Sequence, residues 1–157
     1  TDTSPPDMLL NLLTGLMAAR IVDASPTAVS AADMWDAATL GGAKALSRDD
    51  LGRLAPGAQA DIAVFGLDNA IMTPAIDPIT TLVAGGSGKV TRAVFVGGRL
   101  SMRAGNVAGM DMVAAQAQAQ AQFEGLVDKY PERSWGHPPV STLFPPSYPL
   151  QTDARHD

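Results

Sequence analysis

The 157-residue sequence has no cysteine, which excludes disulfides, thiolate metal sites and a cysteine nucleophile. It has only two histidines, His137 and His156, so this chain alone cannot assemble a histidine-rich metal site. Charge is scarce: 17% of residues are charged, against roughly 25% in an ordinary globular domain. Positive charge is scarcest, with 11 Lys and Arg against 16 Asp and Glu and a net charge of −5. That is the wrong sign for a nucleic-acid-binding surface. The most apolar stretch, Met8 to Val22, contains Asn11, Thr14 and Arg20 and is shorter than the roughly 20 residues that span a bilayer. It also lacks the basic leader and cleavage site of a signal peptide. We expect no nucleic-acid and no membrane partner, and a cytoplasmic protein, with which the lack of thiols is merely compatible.

Hydrophobic residues make up 46% of the chain, enough to bury a sizeable core. The length suits one domain of about 100–200 residues, or a piece of something larger. The chain opens Thr1-Asp2-Thr3 without a methionine, and we expect a processed or nicked chain, or part of a longer polypeptide.

Periodicity divides the chain into three stretches. Pro5, Pro6 and Asp7 precede Leu9, Leu10, Leu12, Leu13, Leu16, Met17 and Ile21 at helical spacing, which predicts a helix to about Val22, stopped by Ser25-Pro26. Asp7 falls in its first turn, where negative charge is favoured. Ser30 and Asp33 form an acidic capping box for a second helix through Trp35 and Leu46. Gly41-Gly42 inside that helix costs about 1 kcal/mol per glycine against alanine, and suggests that another element approaches closely there.

From residue 51 the pattern is β-rich. Leu51–Leu54 reads as a short extended segment, Ala55-Pro56-Gly57 as a type II turn and Ala60–Phe65 as a strand. Asn69–Pro78 reads as a loop, Asp77-Pro78 as a helix start, and Gly85-Gly86-Ser87-Gly88 as a flexible turn. Val90–Val96 and Arg99–Arg103 then form a hairpin around Gly97-Gly98. Residues 110–130 return to helix, with Pro131 as its stop. The proline- and aromatic-rich end reads as an extended tail that buries Trp135, Phe144 and Tyr148.

Little chemistry is self-contained. The glycines of 85–88 lack the Lys-Ser/Thr of a phosphate loop and read as a turn. His137 reads as a surface or packing residue, and His156 as a disordered terminal one. Asp61 reads as a structural carboxylate bonding nearby amides, and Asp33 and Asp36 as solvated helix positions. Asp2, in a polar segment just before an apolar helix, is of a type that binds a cation or carries protons, although composition alone favours a capping or loop role.

The stretch Ala37-Ala38-Thr39-Leu40-Gly41-Gly42-Ala43-Lys44-Ala45-Leu46 resembles the "ATxxGAxALG" helix of the amidohydrolase superfamily. Asp50 to Phe65, with Gly52, Gly57 and Ala60-Asp61 in register, is similar to its "xGxLxxGxxADLVVxD" run. Asp77-Pro78 and Val94-Phe95-Val96-Gly97-Gly98-Arg99-Leu100 resemble its "DP" and "VxVxGxxV" elements. The resemblance covers about residues 1–107. The branch it points to holds the chlorohydrolases and aminohydrolases, including cytosine-deaminase-like enzymes.

The resemblance implies an α/β fold. Residues 1–49 would be the last strand-end and helices of a (β/α)8 TIM barrel. Residues 50–107 would belong to a flanking composite β-sandwich, and residues 108–157 would form a C-terminal helix and extended tail. It implies that Asp2, in its "TDT" context, is both the catalytic proton shuttle and a metal ligand. The metal would be divalent, zinc ahead of iron. A metal-activated water would hydrolyse a C–N bond, by deamination, or a C–Cl bond of a small heterocyclic or amide-like substrate. The family's histidine ligands are absent, so the implied partners are a missing N-terminal part of the same enzyme, a small-molecule substrate and a second copy in a homo-oligomer. Two other readings compete: a non-catalytic assembly subunit or remnant, and an N-terminal threonine hydrolase using Thr1.

Overall fold

The structure, a computed structural model, describes residues 6–148. The chain divides into two units, residues 1–109 and 110–157.

The first unit opens with α1 (Met8–Val22). Leu9, Leu12 and Leu16 recur at i, i+3 and i+7, and all three are buried. Asp7 is the N-cap, outside the first turn in which the sequence places it. Ala24, at φ +48, turns the chain away after Val22, before Pro26 is reached. α2 (Ala31–Asp36) starts with the expected capping box: Ser30 Oγ accepts from the Asp33 amide at 3.1 Å, and Asp33 Oδ2 accepts from the Ser30 amide at 2.8 Å. The helix continues through a π-helical turn at Ala37–Gly41 into α3 (Gly42–Ala45). α4 (Pro78–Gly85) is capped by Asp77, whose side chain accepts from the Thr80 amide at 2.9 Å.

The core lies where α1, α2 and α4 meet. Leu9, Leu12 and Leu16 pack with Ala31, Leu82 and Val83, bordered by Met34, Phe65, Ile79 and Val90. Trp35 meets Phe65 edge to face at 6.1 Å between ring centroids, which joins the helices to the sheet.

That sheet is antiparallel, in the order β1 (Ile62–Phe65), β2 (Thr91–Val96), β3 (Arg99–Arg103), β4 (Asn106–Val107). Ile62 pairs with Phe95, and Val94 with Met102. Gly97 and Gly98, at φ +55 and +76, make the mirror-image turn that matches the strand twist. Ala104 and Gly105, at φ +48 and +81, repeat it and lead into β4. The sequence hides this second turn because alanine is a poor signal for positive φ. The Pro56-Gly57 turn forms as expected, closed by Ala58 N–H donating to Ala55 O at 3.0 Å, with Gly57 at φ +82.

Two expectations for this unit fail. Leu51–Leu54 is a series of bends, not an extended segment, because Gly52 turns it at φ +75. Nor do Gly41 and Gly42 admit a neighbouring element. A Cβ on Gly42 would meet nothing within 4 Å, and one on Gly41 would meet only its own helix, Asp36 O at 3.4 Å and Ala37 Cβ at 4.0 Å. The close approach comes from Gly52, where a Cβ would lie 2.6 Å from Thr39 O and 3.1 Å from Leu40 Cα. The bare backbone that matters is therefore on the loop and not on the helix it touches.

The second unit holds α5 (Met112–Arg133) and α6 (Val140–Leu143). Asp111 caps α5, its carboxylate accepting from the Val113 and Ala114 amides at 3.1 and 3.0 Å. Pro131 does not stop α5, which runs on to Arg133. Proline's fixed φ is compatible with a helix, and here only the last turn has to absorb the missing donor. Nor do the described residues after α5 form an extended tail that buries its aromatics. α6 interrupts it, Tyr130 and Phe144 meet edge to face at 5.3 Å, and Trp135 is 100% exposed.

Two substitutions test the placing of the close approach. Gly52→Ala should destabilise by about 1–3 kcal/mol, since the methyl meets a carbonyl that cannot yield. Gly42→Ala should be neutral or stabilising by up to about 1 kcal/mol. Denaturation midpoints of the full-length protein measure both; a Gly52→Ala protein as stable as its parent would show that the contact is absent.

Candidate active site

The resemblance puts the site at the segment leading into α1. Asp2 and Thr1 lie outside the described residues, as does His156. What the structure shows is how the chain is held directly after them. Asp7 Oδ1 accepts from the amides of Leu9 and Leu10 at 3.1 and 3.3 Å. Asp7 Oδ2 accepts from the Gly88 amide at 2.7 Å, 81 residues away. Asn11 Nδ2 donates to Asp7 O at 2.9 Å. Both carboxylate oxygens are thus committed to main-chain donors, and the role of Asp7 is to hold.

The Gly85–Gly88 stretch is the other half of this joint. A Cβ on Gly86 would lie 2.3 Å from Leu82 O and 2.9 Å from Leu9 Cδ1, so only glycine lets α1 sit against the end of α4. The stretch binds α1, and its Gly88 amide is already spent on Asp7.

Beside this joint runs a groove of about 740 Å³ between α1, α2 and the β1–β2 face. Leu9, Leu12, Trp35, Ile62 and Val94 line it, together with Asp36 and Arg53. Asp61 also borders it but takes the structural role expected of it: Oδ1 accepts from the Gly97 amide at 2.7 Å and from Gln59 Nε2 at 3.4 Å, which ties β1 to the β2–β3 turn. Asp33 is a capping residue, and only Asp36 remains as a side chain of the kind read as solvated. In the second unit His137 closes the turn after α5, at φ +47 with Nδ1 3.2 Å from Pro131 O.

Four exposed aspartates are held below the ordinary carboxylate value of 3.8. For Asp33 the main cause is the Ser30 hydroxyl, for Asp77 that of Thr80. For Asp50 it is Arg48, whose Nε lies 2.6 Å away, and for Asp68 it is Arg92. Each is explained by a cap or an exposed ion pair, so none marks a catalytic group. Among the described residues no group of three or more His, Asp or Glu side chains converges as a metal would require. The described residues therefore do not fit a metal on their own.

A family model described as "Amidohydrolase family" matches residues 1–101. The chain belongs to the amidohydrolase family. It is 32% identical over 133 residues to the 5-methylthioadenosine/S-adenosylhomocysteine deaminase of Nitratidesulfovibrio vulgaris, covering 82% of this chain and 30% of that protein. A stretch that long must pass residue 107, so the similarity enters α5, further than the sequence motifs reach. Among solved structures, an adenosine deaminase from Xanthomonas campestris with bound zinc matches with TM-score 0.73 and 28% identity, over 76% of this chain and 27% of that one. Atrazine chlorohydrolase from Arthrobacter aurescens complexed with zinc matches with TM-score 0.66 and 30% identity, over 72% of this chain and 25% of that one. The chain thus spans between a quarter and a third of the length of these proteins.

The depressed aspartates set a pH dependence. Their folded-state values lie below the unfolded one, so their stabilisation is complete above 3.8 and is lost as pH falls through the lowered values. The protein should lose stability on acidification below about pH 4. Ser30→Ala should move the Asp33 midpoint up toward 3.8 in an NMR titration; an unmoved midpoint would exclude Ser30 as the cause.

Proposed function

We propose that this chain is the C-terminal part of a metal-dependent amidohydrolase that removes an amino group from a small heterocycle by hydrolysis. The observation that carries this is the family match over residues 1–101, joined to similarity with deaminases of adenine-containing compounds. A 6-aminopurine nucleoside is accordingly the first substrate class. Displacement of chloride from a triazine is the second, favoured by the likeness to the chlorohydrolase.

In this reading residues 1–49 complete the barrel, residues 50–107 contribute to the flanking sandwich, and residues 108–157 pack on the barrel or on a neighbouring subunit of a homo-oligomer. The exposed apolar residues of α1, among them Ile21 at 78% and Val22 at 83%, are then covered by the rest of the polypeptide.

Asp2 is the proton carrier and this chain's contribution to the metal's ligands. A divalent metal, zinc by analogy with the two zinc-bearing structures and iron as the second candidate, supplies Lewis-acid activation when bound. The carboxylate of Asp2 takes a proton from the attacking water and delivers it to the departing amine, so it is needed ionised at first and protonated later. Of the three aspartates that line the groove, Asp7 and Asp61 are occupied by main-chain amides, and Asp36 is exposed.

Asp2→Asn retains the shape and removes the proton acceptor. In the full-length enzyme, ammonia release from an aminopurine nucleoside should fall by about 10²-fold or more in kcat. Parental turnover in that variant would overturn the assignment.

A further inference from the structure

We draw no further inference here: the strongest candidate, the exposed apolar surface patch of Phe123, Leu126, Tyr130 and Phe144 on the α5–α6 hairpin, carries none, because nothing in the structure shows what covers it.

Discussion

The packing of one leucine stripe on α1 against the end of α4 holds the first unit together. Leu9, Leu12 and Leu16 meet Leu82 and Val83, and nearly everything else in the unit is arranged around that contact. Gly86 is bare so that Leu9 can reach it. Asp77 and Asp7 cap the two helices that make it. Trp35 and Phe65 carry it to the sheet. The core is thin for the chain that it supports, and the other face of α1 shows Met17, Ile21 and Val22 to the outside. The largest helix of the unit is thus apolar on two sides, and the described residues cover only one of them.

What the sequence made readable was local. The Ser30–Asp33 box, the Pro56-Gly57 turn and the Gly97-Gly98 hairpin each depend on residues within three or four positions of one another, so their chemistry is written in the spacing. The Asp7–Gly88 bond spans 81 residues, and nothing in either neighbourhood announces it. Gly52 was inconspicuous beside the paired Gly41 and Gly42, yet Gly52 is where two backbones meet. Pro131 lies inside α5 and Ala104 takes a positive φ, because general preferences yield to the particular position. Asp2 came from the resemblance alone; its neighbours fix the chain that follows it and say nothing of its own geometry.

The acidic side chains sort by what they touch. Asp33, Asp77 and Asp111 cap the N-termini of helices, Asp61 pins a hairpin, and Asp50 and Asp68 face arginines. A chain with 16 acidic residues looks rich in candidates for general acid–base chemistry, but most of the described aspartates with defined contacts are committed to backbone amides or cations. Elimination of this kind is physical: a carboxylate already accepting from main-chain amides is held in place by them.

The π-helical turn at Ala37–Gly41 has one further consequence. Such a turn amounts to one residue too many within an otherwise α-helical run. It lets Trp35 on one side and Ala43 on the other both face inward, since each packs within the unit. Removing a single residue between them would restore regular α periodicity and rotate everything beyond by about 100°. Ala43 would leave the interior and the Thr39 carbonyl would leave Gly52. The length of this helix is thus fixed to the residue, and insertions or deletions here should be purged in descent even where substitutions are accepted.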